Sequence, residues 1–337
     1  MITLSELVKQ AAEEPREEEV SVQVDQLRLG KTQNGKPFYD LEVVDARQKA
    51  RFKIWAETDA FDFCSDLKSG DLCELGGRFF TNQFGLNVEK PQLRFLTVSE
   101  TETFLAGSED SKRKQVEDWD FLQQTFTALP ESALRAVALL SLEQHEKKWK
   151  RAAAARTYHH ARRGGLLEHT SQMLRCAAAL APLYEEVTPA LLYCGVLFHD
   201  VGKLWENDYP DQGFISQPNR RGELIGHISV GIEVVNKLWH QAAELHPALF
   251  AAEVKPSPEL VRDHLLHLIA SHHGQMEFGS PVTPRTPEGM LLHHIDNIDA
   301  KIEMLRCAYA EKEEIVPGLY EIRRPLEGMP AKPLSFY

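Results

Sequence analysis

Residues 191–204 read LLYCGVLFHDVGKL. The apolar run from Leu191 to Phe198 asks to be buried on every side of a helix, and it ends in His199-Asp200, followed by Gly202 and Lys203. A histidine, a carboxylate and an ammonium stay at the edge of a core only when they are paired or hold a metal. The fold of the surrounding chain is therefore decided by what else converges on that dipeptide.

Working outward, neighbouring segments carry helical periodicity, and each turns a candidate ligand toward its apolar stripe. On GGLLEHTSQMLRCAAALA, His169 shares a face with Leu166, Met173, Ala177 and Leu180. The helix of the opening stretch starts at Thr188-Pro189, an N-cap followed by an N1 proline. On GHISVGIEVVNKLW, His227 aligns with Gly231, Val234, Val235 and Leu238. On SPELVRDHLLHLIASHHG, His272 follows Val261, Leu265, Leu268 and Ile269, with His273 about 100° further round. In EGMLLHHIDNIDAKIEML, Asp296 borders the stripe of Leu292, Ile295, Ile298, Ile302 and Leu305.

Any one of these histidines alone reads as a hydrogen-bonded core residue. Several helices each turning a His or Asp inward instead supply the N/O donor set of a borderline divalent cation. Because an Asp can bridge two ions, about six or seven ligands suffice for a dinuclear site with open water positions. His145, His240, His246, His264 and His267 lack this convergence and read as surface or packing residues, while His293 and His294 are left open.

The N-terminal half has another period. Residues 1–19 predict a short helix capped by Thr3 or Ser5, then an exposed acidic linker, EEPREEE. From 20 to 100, VSVQVDQLRL, FYDLEVVDA, RFKIWA, GDLCELGGRFF and LNVEKPQLRFL alternate as strands. Asn34-Gly35 makes a hairpin turn, and TDAFDFCSDLKSG predicts a short helix between the third and fourth strands. That order fits a small Greek-key barrel of the oligonucleotide-binding type. Such barrels stack and neutralise single strands on one face. Phe38, Tyr39, Phe52, Trp55, Phe79, Phe80 and Phe84 supply aromatics, and Arg51, Lys53 and Arg78 supply charge; Arg51, Phe52, Lys53 and Trp55 are the candidate strand contacts. Arg51 and Lys53 alternate with Phe52 and Ile54, giving one strand a basic and an apolar side.

Residues 101–156 predict connector helices broken at Leu129-Pro130, then a basic cluster of Lys147, Lys148, Lys150, Arg151, Arg156, Arg162 and Arg163. This cluster is either a phosphate-backbone track or a solvated helix face. His160 and Arg163 are further candidate substrate contacts. The expected fold class is thus multidomain, an all-β barrel followed by an all-α bundle at 157–312, with a tail at 313–337.

At 337 residues the chain has room for two domains. No apolar run is long enough for a membrane span, and the N-terminus lacks a signal-peptide pattern. Five scattered cysteines without a CxxC pair read as reduced core residues of a cytoplasmic protein. A net charge of −12 excludes a uniformly basic nucleic-acid coat but not a local basic channel.

The order His169, His199-Asp200, His227, His272-His273, Asp296 resembles the HD-domain phosphohydrolase superfamily. Within it, HHARRGGLLEHT, LFHDVGK, GHISVG, SHHGQMEFGSPVTPRTPEG and LLHHIDNIDAK, behind an oligonucleotide-binding barrel, are similar to the YhaM-type 3′→5′ exoribonucleases. The resemblance covers nearly the whole chain and is most specific over 158–304; ARRGG departs from the aromatic or aliphatic residues usual before the double glycine. It implies one metal on His169, His199, Asp200 and Asp296, with Asp200 bridging to a second on His227 and His272, and His273 as a further ligand. It also implies that Lys203 sits near the scissile phosphate beside Asp200. The expected cofactors are two divalent ions, manganese first, then iron, cobalt or magnesium. The expected activity is release of nucleoside 5′-monophosphates from single-stranded RNA, or DNA. Two other functions stay open: an HD hydrolase of small or cyclic nucleotides, and a non-catalytic strand-binding protein with a structural metal. The oligomeric state is also open, a homo-oligomer included.

Overall fold

The computed structural model describes residues 2–32, 34–45, 48–82, 85–106, 109–154, 163–208, 213, 217–311, 314–322 and 326–334. They divide into two compact units, one of residues 1–112 with 209–217, the other of residues 113–208 with 218–337.

The first unit opens with α1 (Leu4–Glu13), where Thr3 and Glu6 form a reciprocal capping box, so Thr3 rather than Ser5 is the cap. Five antiparallel strands follow: β1 (Arg16–Lys31), β2 (Pro37–Val44), β3 (Lys49–Trp55), β4 (Leu72–Asn82) and β5 (Gly85–Phe95), with α2 (Asp59–Cys64) between β3 and β4. The sheet order is β3-β2-β1-β4-β5, and the outer strands β3 and β5 approach each other, which closes the barrel. A bulge interrupts the β1–β2 pairing between Val24 and Gln26, and another the β4–β5 pairing between Gly76 and Arg78. Bulges add the local bend and twist that let so few strands curl round a core. Val20, Val22, Val24, Leu41, Val43, Phe52, Ile54, Cys73, Leu75 and Phe79 fill the interior, and α1 contributes Leu4, Leu7 and Ala11.

Two expectations are corrected here. EEPREEE is not a linker: Arg16 to Glu19 pair with Phe79 to Gly76 as the start of β1. Both faces of that ladder are at least partly exposed, so no hydrophobic alternation marked it as strand. Phe52 is not a strand contact either. It is 1% exposed and meets Phe79 edge-to-face at 6.0 Å inside the barrel. Phe52→Ala should therefore cost about 3–5 kcal/mol of the first unit's stability, read by denaturant unfolding; lost RNA affinity with stability intact would return Phe52 to the binding face.

α3 (Val98–Ala106) ends the barrel, and α4 (Glu109–Thr127) leads into the second unit. There follow α5 (Ala133–Trp149), α6 (Gly165–Leu180), α7 (Pro189–Phe198) and the single-turn α8 (Lys203–Glu206). A two-residue ladder, β6 (Asn207–Asp208) with β7 (Gln217–Pro218), precedes α9 (Arg220–Leu245), α10 (Pro258–Ser271) and α11 (Pro287–Glu311). A small hairpin of β8 (Glu314–Val316) and β9 (Leu319–Tyr320) occupies part of the expected tail. α7 lies at the centre of this bundle, packed by α5, α6, α10 and α11. Its residues Leu192, Cys194, Val196, Leu197 and Phe198 are fully buried. Gly195 permits the close approach of α10, since a Cβ there would lie 2.6 Å from Leu268. Thr188 holds the N-cap position without a side-chain cap bond; its own N–H donates to the Glu288 carboxylate at 2.7 Å.

Candidate metal centre

The central helix delivers His199 as its last, fully buried turn, and Asp200 follows at 3% exposure. The chain can then turn sharply into α8 only because Gly202 has no side chain: a Cβ there would fall 1.9 Å from the His227 carbonyl oxygen. That close approach brings α9 onto the dipeptide. α9 is broken at Gly226, whose φ of +68 favours glycine, so the helix bearing His227 restarts in a new direction. His272 and His273 come from the end of α10, His169 from α6 and Asp296 from α11.

The sequence-predicted ligands meet in two groups. His169, His199 and Asp200 offer donor atoms within 4.8 Å of one another, and so do His227, His272 and His273. Asp296 Oδ1 lies 3.3 Å from His169 Nε2, which in turn lies 3.3 Å from His199 Nε2. Asp200 lies between the groups, with Oδ2 at 3.3 Å from His199 Nε2 and Oδ1 at 3.4 Å from His227 Nε2 and 3.6 Å from His272 Nε2.

The imidazoles are oriented for lone-pair donation. His199 and His272 donate Nδ1–H to the carbonyls of Val196 and Ile269, and His273 to that of Phe278, which leaves each Nε2 as the basic atom. Asp200 Oδ1, His227 Nε2 and His272 Nε2 are buried and have no hydrogen-bond partner among the described residues. Buried polar atoms are rarely left so, and an orphaned carboxylate oxygen facing two orphaned imidazole nitrogens fits a divalent cation.

Electrostatics agrees with that fit. Burial would raise the Asp200 carboxyl, but Lys203 and His199 hold it well below the usual carboxylate range. Burial likewise opposes charge on Lys203, yet Asp200 outweighs it and the ammonium is raised further. Lys203 donates to Asp200 Oδ2 at 2.6 Å and to the Ala154 carbonyl. Burial, with His199 adding to it, keeps His272 neutral. His169 goes the other way: burial pulls it down, but Asp296 and Asp299 raise it to about 9. Loading a cation beside it therefore requires His169 to release a proton.

Two residues escaped sequence reasoning. Asp299, 4% exposed, accepts from His169 Nδ1 at 2.7 Å. Glu206 Oε1 lies 3.6 Å from His227 Nδ1. The available signal was spacing alone: Asp299 follows Asp296 by one turn in IDNIDAK, and Glu206 follows Lys203 by one turn. Of the histidines left open, His293 donates Nδ1–H to the His272 carbonyl at 2.9 Å, and His294 is exposed. His145 packs edge-on to Trp205, and His267 Nε2 accepts the Arg285 N–H.

The candidate substrate contacts fall elsewhere. On the outer face of β2 and β3, Phe38 and Trp55 pair across the strands with centroids 5.3 Å apart. Lys53 lies over Phe38 at 5.2 Å and Lys36 over Trp55 at 5.4 Å. Arg51 is exposed but ion-paired to Asp40, whose carboxyl it lowers. In the second unit the basic cluster is partly engaged: Lys148 lies over Trp205, and Lys150 lies over Trp119 and pairs with Glu146. Arg163 is half-buried. Phe84, Arg156, His160 and Arg162 lie outside the described residues. No helix among the described residues is long and apolar enough to cross a membrane.

Comparison with known proteins fits this geometry. The HD domain family model matches residues 166–301, the span that holds every candidate ligand named above. The chain is 32% identical to the 3′-5′ exoribonuclease YhaM of Bacillus subtilis over 321 residues, covering 90% of this chain and 92% of that protein. It is 33% identical over 316 residues to the 3′-5′ exoribonuclease YhaM of Bacillus velezensis, with the same coverage of both. With 90% of this chain and 92% of each of these relatives matched at 32–33% identity, the chain belongs to the YhaM family of HD-domain exoribonucleases.

Proposed function

We propose that this protein is a metal-dependent 3′→5′ exoribonuclease that shortens single-stranded RNA, releasing nucleoside 5′-monophosphates. The observation that carries this reading is the set of facing atoms Asp200 Oδ1, His227 Nε2 and His272 Nε2, buried without hydrogen-bond partners among the described residues, in an HD domain. One ion would be held by His169, His199, Asp200 and Asp296, and a second by His227 and His272, with His273 as a further ligand and Asp200 shared. Bound divalent ions supply a lowered pKa for water and charge neutralisation at phosphoryl oxygens; manganese is the expected metal, ahead of iron, cobalt or magnesium.

The chain's own groups do the rest. Asp200 holds charge between the two histidine groups, and its pairing keeps Lys203 protonated beside it. Lys203 thereby presents a fixed cation to the scissile phosphate. His160 and Arg163 would contact substrate near the first ligand helix. Residues 20–100 form the strand-binding domain and 157–312 the hydrolytic one, joined by the connector 101–156. In the barrel, Phe38 and Trp55 offer ring faces for bases, and Lys36 and Lys53, with Arg51 beside them, neutralise backbone charge. The protein would act in the cytoplasm.

Incubation with single-stranded RNA and Mn²⁺ tests the assignment. A 5′ label should pass down a ladder of shortening products, while a 3′ label should appear at once as mononucleotide. Hydrolysis of free nucleotides with RNA left intact, or release from the 5′ end, would overturn it. Trp55→Ala should weaken binding to single-stranded RNA by about 1–3 kcal/mol, measured by fluorescence anisotropy in chelator, while turnover of saturating short substrate is unchanged. Unaltered affinity would remove Trp55 from the strand path.

A further inference from the structure

Given the two-ion reading above, we infer that Asp299 is a positioning residue for the first ion: it holds and orients the His169 ring from behind, so that this site's affinity depends on a carboxylate that touches no metal. His169 and Asp299 are both buried, and His169 Nδ1 donates to Asp299 Oδ2 at 2.7 Å. The bond fixes the tautomer of the neutral ring, so once the Nε2 proton is released that atom carries the lone pair; it faces Asp296 and His199, each 3.3 Å away.

The other candidate imidazoles are held differently. His199, His272 and His273 each donate Nδ1–H to a backbone carbonyl. His227 faces Glu206 at 3.6 Å, beyond hydrogen-bond length. Among the described candidate ligands, His169 is thus the one with a carboxylate at hydrogen-bond distance behind it. A neutral carbonyl aims the ring; a carboxylate also raises its basicity as a ligand. The spacing adds a reason for the pairing. Asp296 and Asp299 stand one turn apart on α11, so one helix face supplies both a candidate ligand and the group that orients another.

Mn²⁺ binding to the full-length chain, followed by isothermal titration calorimetry, reads the role directly. The wild type should show two sites. In Asp299→Ala one site should weaken about 10–100-fold while the other titrates as in the wild type. Asp299→Asn, nearly isosteric and still able to accept the hydrogen bond, should fall between the two, which separates charge from packing. Two sites of wild-type affinity in both variants would overturn the role. So would equal weakening of both sites in Asp299→Asn, accompanied by a lowered melting temperature of the metal-free protein, since that is the mark of a purely structural acid. A wild-type chain that takes up no Mn²⁺ would instead overturn the two-ion reading itself.

Discussion

Asp200→Asn should abolish metal-dependent RNA degradation, by about 10⁴-fold or more, while single-strand binding in chelator stays within about twofold of wild type. Asp200 faces both groups of donors. One carboxylate oxygen lies near His199 and Lys203, the other near His227 and His272. An amide keeps the size of the group but removes the charge that two cations would share. Metal content should fall with activity, and elemental analysis of the purified variant checks this. Stability should fall as well, because Lys203 is largely buried and would lose its counter-ion, a change worth about 3–5 kcal/mol. The double variant Asp200→Asn/Lys203→Met removes both charges and should recover much of that stability while remaining inactive. An Asn variant that keeps full metal content and full rate would sink the proposed centre.

Lys203→Met should lower kcat by about 10²–10³-fold with little change in KM, and should not lower metal affinity. The ammonium lies 2.6 Å from Asp200 Oδ2 and also reaches the Ala154 carbonyl, so backbone and carboxylate fix its position before substrate arrives. A fixed charge of this kind is worth most against the extra negative charge of a phosphoryl transition state, which is why the loss is expected in kcat. Removing a cation beside Asp200 leaves that carboxylate more attractive to a metal. Tighter or equal Mn²⁺ binding with slow turnover is therefore the expected signature. Loss of metal together with activity would instead make Lys203 a structural partner of Asp200.

The convergence of these candidate ligands was legible because burial and helical period impose it. His169, His199, His227, His272 and Asp296 each interrupt or border an apolar stripe, and a polar group so placed has few physical reasons to exist. The barrel was legible from period-two alternation, since Val20, Val22 and Val24 alternate into its core. Where side chains carry no such period, the reading failed. The acidic start of β1 is strand because its backbone pairs with β4, and ladder hydrogen bonds do not depend on side-chain polarity. Phe52 and Trp55 look alike in sequence as aromatic strand residues. They lie three positions apart, hence on opposite faces, and only the closed barrel shows that the face of Phe52 is the inner one.

The LLYCGVLFHDVGKL stretch shows the same division. By itself it determined a helix buried all round and a His-Asp pair at its end, because nothing but burial suits that composition. It could not decide how the pair is approached. Gly202 reads as a turn residue, yet in the fold it is the gap through which the His227 backbone comes within van der Waals reach. Asp296 and Asp299 are equivalent by residue type and a turn apart. Only the packing of α6 against α11 sets one near His169 Nε2 and the other at its Nδ1. A ring nitrogen's partner is fixed by distances of a few tenths of an ångström between helices far apart in sequence, and that information exists only once the helices have packed.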